Sequence, residues 1–145
     1  VTFLLDTNAI SEIRRGRDPN VQAWADEVDE TALRLSVLTL GEIRKGIERL
    51  RDRDNAQAQV FADWLEELRK RFADRILEVD ARIAEEWGRL NAVAPRNTVD
   101  SLIAATARVH ALTVVTRNTT DFESCDVELL NPWEFEPGEA DRSDR

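Results

Sequence analysis

FLLDTN, residues 3–8, poses the question on which the fold turns: Phe3, Leu4 and Leu5 run without a break into Asp6, with the hydroxyl of Thr7 and the amide of Asn8 directly behind. A short continuous apolar run suits a strand covered on both faces, as in a parallel sheet. With TFLLD (2–6) as the first, five short runs read as strands, most of them continuous: the others are LRLSV (33–37), ILEV (76–79), LTVVT (112–116) and VELL (127–130). Between them the apolar period lengthens. In AQVFADWLEELRKRF (58–72), Val60, Phe61, Trp64, Leu65, Leu68 and Phe72 recur at the three- and four-residue spacing of a helix. Further helical stretches run from Pro19 to Val28, Leu40 to Leu50, Ala81 to Val93 and Val99 to Ala111. Strand and helix alternate, which predicts an α/β domain with a five-stranded parallel sheet, flanking helices and right-handed crossovers. In such a sheet ligands lie beyond the carboxyl ends of the strands, where the strand order reverses. The residues that end the strands are therefore the functional candidates.

The bulk numbers set bounds. At 145 residues and 42% hydrophobic, the chain has material for one core, expected over residues 1–136, with EFEPGEADRSDR leading into an acidic mobile tail over 137–145. No apolar run is long enough to span a bilayer and no secretory leader pattern opens the chain, so a cytoplasmic protein without membrane attachment is expected. The single cysteine, Cys125, cannot form an internal disulfide, which agrees with a reducing compartment. A net charge of −9 argues against a protein coated in phosphate-binding lysine. Locally the balance reverses: residues 41–53 hold five bases against three acids, and residues 11–17 three against one.

Four acidic residues stand where chemistry is expected. Asp6 ends the first strand, and the fourth runs out into VVTRNTTDF (114–122), which supplies Thr116, Asn118 and Asp121. Asp100, in NTVDSLIAATARVHA, heads the apolar face of its helix through Ile103, Ala104 and Ala107, so its charge needs a partner. Glu42 follows the second strand among Leu38, Leu40, Ile43 and Ile47. Each has a plain structural competitor. Asp6 can cap a helix, Asp100 can complement a helix dipole, and Glu42 can be a solvated acid near Lys45. Taken together they point elsewhere. Convergent carboxylates about 4 Å apart repel by roughly 4 kcal/mol at an effective dielectric near 20, so a cation must hold them. The only histidine is His110 and the only cysteine is Cys125, so a zinc or copper site lacks ligands. Oxygen donors select Mg²⁺ first and Mn²⁺ second, and such a site activates water against phosphodiesters. No glycine-rich phosphate loop is present, and a serine triad would have to recruit His110 from late in a helix. Trp24, Trp64, Trp87 and Trp133 fall mostly on apolar helix positions and read as packing residues.

The ordered set LLDTN, LGEIRKG, NTVDSLIAATA and VVTRNTTDF resembles the PIN-domain family, in particular the VapC ribonuclease toxins of type II toxin-antitoxin pairs, and DTNAISEIRRG is similar to the FitB-like branch. The resemblance extends to about Glu136. It implies a PIN-like domain, Mg²⁺-dependent cleavage of RNA and inhibition by a VapB-type antitoxin. A homodimer, assembling further with the antitoxin, is expected. By position, Asp6 and Asp100 would be the principal metal ligands and catalytic residues, with Glu42 and Asp121 completing the acidic set. Thr7, Asn8 and Thr116 would orient ligands or the attacking water. Asn118 stands where many members place an aspartate, which leaves the fourth position to Asp121, to Asn118 through a water, or to neither. RNA would be engaged by Arg14, Arg15, Arg44, Lys45 and Arg49. Apolar helix faces around Trp24 and Trp64 offer themselves to an antitoxin helix or a second copy of the chain.

Two other classes compete. An aspartate-nucleophile phosphohydrolase also places Asp at the end of its first strand, but usually with a second acid two residues on, where this chain has Asn8. A non-catalytic α/β binding module would use the acidic pocket only to hold a cation or a partner's arginine.

Overall fold

The computed structural model describes residues 1–137, so the expected tail, Pro137 aside, lies outside the described residues. Five strands, β1 (Phe3–Leu5), β2 (Leu33–Ser36), β3 (Ile76–Leu77), β4 (Thr113–Val115) and β5 (Leu129–Leu130), form one sheet in the order β3-β2-β1-β4-β5. Every pairing is parallel, with Leu4 opposite Arg34 on one side and Val114 on the other. Six α-helices flank it: α1 (Thr7–Arg15), α2 (Pro19–Glu27), α3 (Val37–Leu50), α4 (Asn55–Arg71), α5 (Ala81–Val93) and α6 (Thr98–His110).

Side chains on a strand alternate between faces, so adjacent residues of one apolar run serve different cores. Leu5, Leu35 and Val115 point to one side and pack with Ile10, Ile43, Ile47, Leu65 and Phe72 from α1, α3, α4 and the turn after it. Leu4 and Val114 point to the other and pack with Ile83, Leu90, Ile103, Ala104 and Phe122. All five of these strand residues are fully buried, which is why β1 and β4 read as unbroken apolar runs. On the α6 side the small residues Ala104, Ala105 and Ala107 are almost fully buried. Their size lets the helix lie close to the sheet.

Polar side chains set the boundaries. The carboxylates of Asp18, Asp54 and Asp80 each accept a backbone N–H in the first turn of α2, α4 and α5, satisfying donors that a helix start leaves free. Asp54 starts α4 three residues before its apolar pattern begins at Ala58. Ser36 caps α3, so Val37, expected at the end of β2, is already helical. Gly16 closes α1 at φ 67°, a left-handed conformation that costs glycine little, and its N–H donates to Glu12 O at 2.9 Å.

Candidate active site at the carboxyl edge of the sheet

The chain moves outward from β1 to β2 and β3, then crosses back to place β4 on the other side of β1. The strand order thus reverses between β1 and β4, and their carboxyl ends open a crevice there. Leu5 pairs with Val115, so the next residues, Asp6 and Thr116, arrive side by side. The ladder extends one bond further, from Asp6 N to Val115 O at 3.1 Å.

Asp6 does cap a helix. Its Oδ1 accepts from Ala9 N at 2.8 Å at the start of α1. Capping by Oδ1 leaves Oδ2 for other partners, and Asp6 also lines a pocket of about 130 Å³ at the crevice. Glu42, from the second turn of α3, and Asp100, from the first turn of α6, line the same pocket. Three carboxylates from separated segments therefore surround one space. Thr7, Asn8, Thr116 and Asn118 add oxygen and nitrogen atoms to its wall, and Val99, Ile103 and Phe122 supply apolar surface. Among the described residues that line it there is no lysine, arginine or histidine.

Polar contacts fix two of the acids, Glu42 and Asp6, in place. Thr7 Oγ1 donates to Glu42 Oε1 at 2.6 Å, tying α1 to α3 across the pocket mouth. Thr116, fully buried, accepts from Asn118 N at 3.0 Å, and its side chain acts on the neighbouring Asp6 carboxylate to lower its pKa. Asn97 caps α6 through a bond from Asp100 N at 3.1 Å, which leaves the Asp100 side chain free. Burial pushes the Asp6 carboxyl above its ordinary pKa against the lowering effect of Thr116 and of the bond from Ala9, and the charge of Glu42 adds to the rise. Asp100 is also raised, first by burial and then by the charges of Asp121, Glu42 and Asp6.

Asp121 stands differently from the other three. Like Glu42 and Asn118 it is exposed, but it lies outside the pocket wall that both of them line. The 3-10 turn Thr119–Cys125 explains the split, because it buries Phe122 as part of the wall and leaves the preceding residue facing outward. Asp121 nonetheless acts on Asp100 through its charge. Phe122 was missed as a site residue in the sequence; its only signal is an aromatic directly after the acid.

The donor set suits a hard divalent cation, since every charged ligand offered is a carboxylate oxygen and the neutral ones are hydroxyls and amides. Among the described residues no three acidic, His or Cys side chains stand close enough to form a ready-made metal-binding group. The carboxylates line one pocket without closing a coordination shell.

The basic candidates are less uniform than their sequence suggests. Arg14 lies over Phe61 and Trp64, its Cζ 4.7 and 5.2 Å from the ring centroids. Arg15 pairs with Glu12 and Arg44 with Glu48, each at 3.6 Å. Lys45 and Arg49 are exposed on α3. His110 is exposed at the end of α6 and Cys125 is buried, both away from the pocket wall. Trp24 is buried in the core, and Trp87 is half-buried with its Nε1 donating to Ser101 Oγ at 3.1 Å.

A parallel sheet in this order, with three carboxylates on the pocket at its switch point, defines an open α/β protein of the class that holds ligands beyond its strand ends. Residues 3–127 match the family model described as the PIN domain. The chain is 36% identical over 138 residues to Toxin FitB of Neisseria gonorrhoeae, spanning 90% of this chain and 98% of that protein. It is 34% identical over 139 residues to a protein of Sinorhizobium fredii named as a VapC ribonuclease, spanning 91% and 98%. The crystal structure of FitAcB from Neisseria gonorrhoeae aligns with a TM-score of 0.85 at 35% identity, over 92% of this chain and 100% of that one. The chain belongs to the PIN-domain family.

Proposed function

We propose that this chain is an endoribonuclease toxin, active in the cytoplasm, that cleaves RNA with the help of a divalent cation, Mg²⁺ or in its place Mn²⁺, and is silenced by a VapB-type antitoxin. One observation carries the reading. Asp6, Glu42 and Asp100, far apart in the chain, line a single pocket whose wall supplies no positive charge. The names of its relatives, a toxin and a ribonuclease, support the same activity.

In this reading Asp6, Asp100 and Glu42 hold the cation, and the fourth position falls to Asp121 or, through a water, to Asn118. When bound, such an ion lowers the pKa of a water and stabilises the attacking and leaving oxygens of a phosphodiester. The protein's own contribution is positioning. The Ala9 N–H fixes the Asp6 carboxylate with Thr116 beside it, Thr7 fixes Glu42, and Asn8 presents an amide to whatever enters. Val99, Ile103 and Phe122 form an apolar floor that limits water on the inner side. Arg14, Arg15, Arg44, Lys45 and Arg49 would draw the RNA backbone towards the acidic mouth despite the net negative charge. A homodimer is the expected assembly.

The test is cleavage of a labelled RNA by purified, antitoxin-free protein with Mg²⁺ or EDTA. Cleavage only with the metal, lost in Asp100→Asn, supports the proposal. Full cleavage in EDTA contradicts it. No cleavage of any RNA by metal-loaded protein would favour a non-catalytic module in which the pocket binds a partner's cationic group.

A further inference from the structure

Beside the acidic pocket lies a second depression of about 250 Å³, and the two share a wall formed by Thr7 and Glu42. It differs from the first in chemistry. Ile43, Ile47 and Leu50 of α3 form its apolar floor, and Phe61 and Trp64 of α4 close it with aromatic surface. Along α1, Thr7, Ser11 and Arg14 recur at the spacing of one helix face. The first two line the groove, and the guanidinium of Arg14 sits against both aromatic rings. On α3 the groove runs over Gly46. A Cβ built there meets nothing within 4 Å, so the space above this glycine is open. Gly46 has no positive φ, so its backbone conformation suits any residue.

From this we propose that the groove is a subsite for one unstacked nucleobase of the RNA, next to the phosphodiester held at the acidic pocket. The proposal rests on the nuclease reading and adds what the enzyme would recognise beside the scissile bond. Three features favour a base over other occupants. The groove is continuous with the acidic pocket through the hydrogen-bonded Thr7–Glu42 pair, so a chain threading one enters the other. At its aromatic end the Arg14 guanidinium lies over the Phe61 and Trp64 rings, and a base of any kind can stack on that guanidinium plane or on the remaining ring face. Two cations stand near it, although its own wall carries only the charge of Glu42. Arg14 stands at the aromatic end, and Arg49 follows Gly46 by three residues on α3, on a neighbouring side of the helix. Those charges suit the phosphates flanking an inserted base. The hydroxyls of Thr7 and Ser11 and the carboxylate of Glu42 face the same space and can meet the polar edge of the base. A base paired in a duplex cannot enter such a slot, so the groove selects unpaired nucleotides.

Gly46→Leu tests this cleanly. The new side chain fills the groove from a helix position with room for it, and replacing glycine inside a helix favours folding. Binding is measured in Mg²⁺, over a time that leaves the RNA uncleaved on a gel, by fluorescence anisotropy of a short single-stranded oligoribonucleotide and of a series made abasic at each position in turn. For the wild type, one abasic position is expected to lose affinity by about 5- to 150-fold, the range for one stacked base. Gly46→Leu is expected to lose a similar factor with the intact oligonucleotide and almost none with that abasic one. Trp64→Ala should follow Gly46→Leu, and Trp64→Phe should restore part of the loss. Equal affinity for intact and abasic oligonucleotides, or no loss in a Gly46→Leu protein that melts like the wild type, overturns the subsite. So does loss of antitoxin binding in Gly46→Leu with RNA affinity unchanged, which would give the groove to a protein partner. If Mg²⁺-dependent cleavage persists in those cases, the nuclease reading survives the failure of the subsite.

Discussion

Glu86 and Asp100 sit on the packed helices α5 and α6, each half-buried and each in a depression, and their surroundings are opposite. Both oxygens of Glu86 are taken up: Oε2 by Arg89 Nη1 and Oε1 by Arg108 Nε, each at 2.9 Å. Asp100 has no such partner on its pocket wall, and the charges acting on it, those of Asp121, Glu42 and Asp6, are all negative. A carboxylate that stabilises a fold brings its cation from the same chain. In the proposed reading, one that awaits a ligand is surrounded by others of its kind. That contrast separates structure from function here more sharply than acidity alone, and substitutions on its two sides should behave differently.

The largest effects belong to the pocket. Asp6→Asn and Asp100→Asn should each lower the rate of RNA cleavage by more than about 100-fold, the loss already reached when only a metal ligand's hydrogen-bonding partner is removed. Asn caps a helix as well as Asp, so Asp6→Asn should keep the start of α1 intact, and circular dichroism should show a folded protein. Equal activity in either variant would erase the distinction from Glu86. Next comes the basic face of α3. Replacing Arg44 and Lys45 together with Ala should weaken RNA binding and reduce the slope of log affinity against log salt by about 1.4, the value for two lost contacts to a single strand. An unchanged slope would remove these residues from the RNA path.

On the other side of the comparison, Glu86→Gln should leave cleavage unaltered and lower the melting temperature by about 3 °C, the consequence of weakening a partly exposed ion-pair cluster worth about 1 kcal/mol. The subtlest test inverts that sign. The carboxyl pKa of Asp6 is raised in the folded protein, so folding favours its protonated form, and deprotonation as the pH rises above the ordinary value of 3.8 costs stability. Without divalent metal, Asp6→Asn should therefore melt higher than the wild type at neutral pH, and the gap should close as the pH falls towards that value. A variant that melts lower at neutral pH would mean that the Asp6 charge is compensated within the protein.

Much of this arrangement can be read from the chain because local rules govern it. β1 announces itself as an unbroken apolar run, since Leu4 and Leu5 must each fill a separate core. Asp6 and Asp100 stand out because one interrupts such a run and the other heads an apolar helix face. The order β3-β2-β1-β4-β5 is not legible in the same way, because it depends on pairings between segments distant in sequence. The position of Asp121 depends on a further detail. Whether it or Asn118 reaches the pocket is decided by the phase of a 3-10 turn, which burial of Phe122 sets and no local spacing encodes. Capping and metal binding looked like competing roles for Asp6, yet a carboxylate has two oxygens and only Oδ1 serves Ala9. The Glu86 cluster gave no signal at all. Arg89 is one turn away, but Arg108 lies on another helix.

Divalent-ion binding by the isolated protein bears most directly on whether the three carboxylates meet to share a cation. Titration calorimetry with Mn²⁺ should give saturable binding for the wild type and for Glu86→Gln, and should lose it in Asp6→Asn and in Asp100→Asn. Binding that is absent from the wild type, or that survives unchanged in both aspartate variants, would contradict the account.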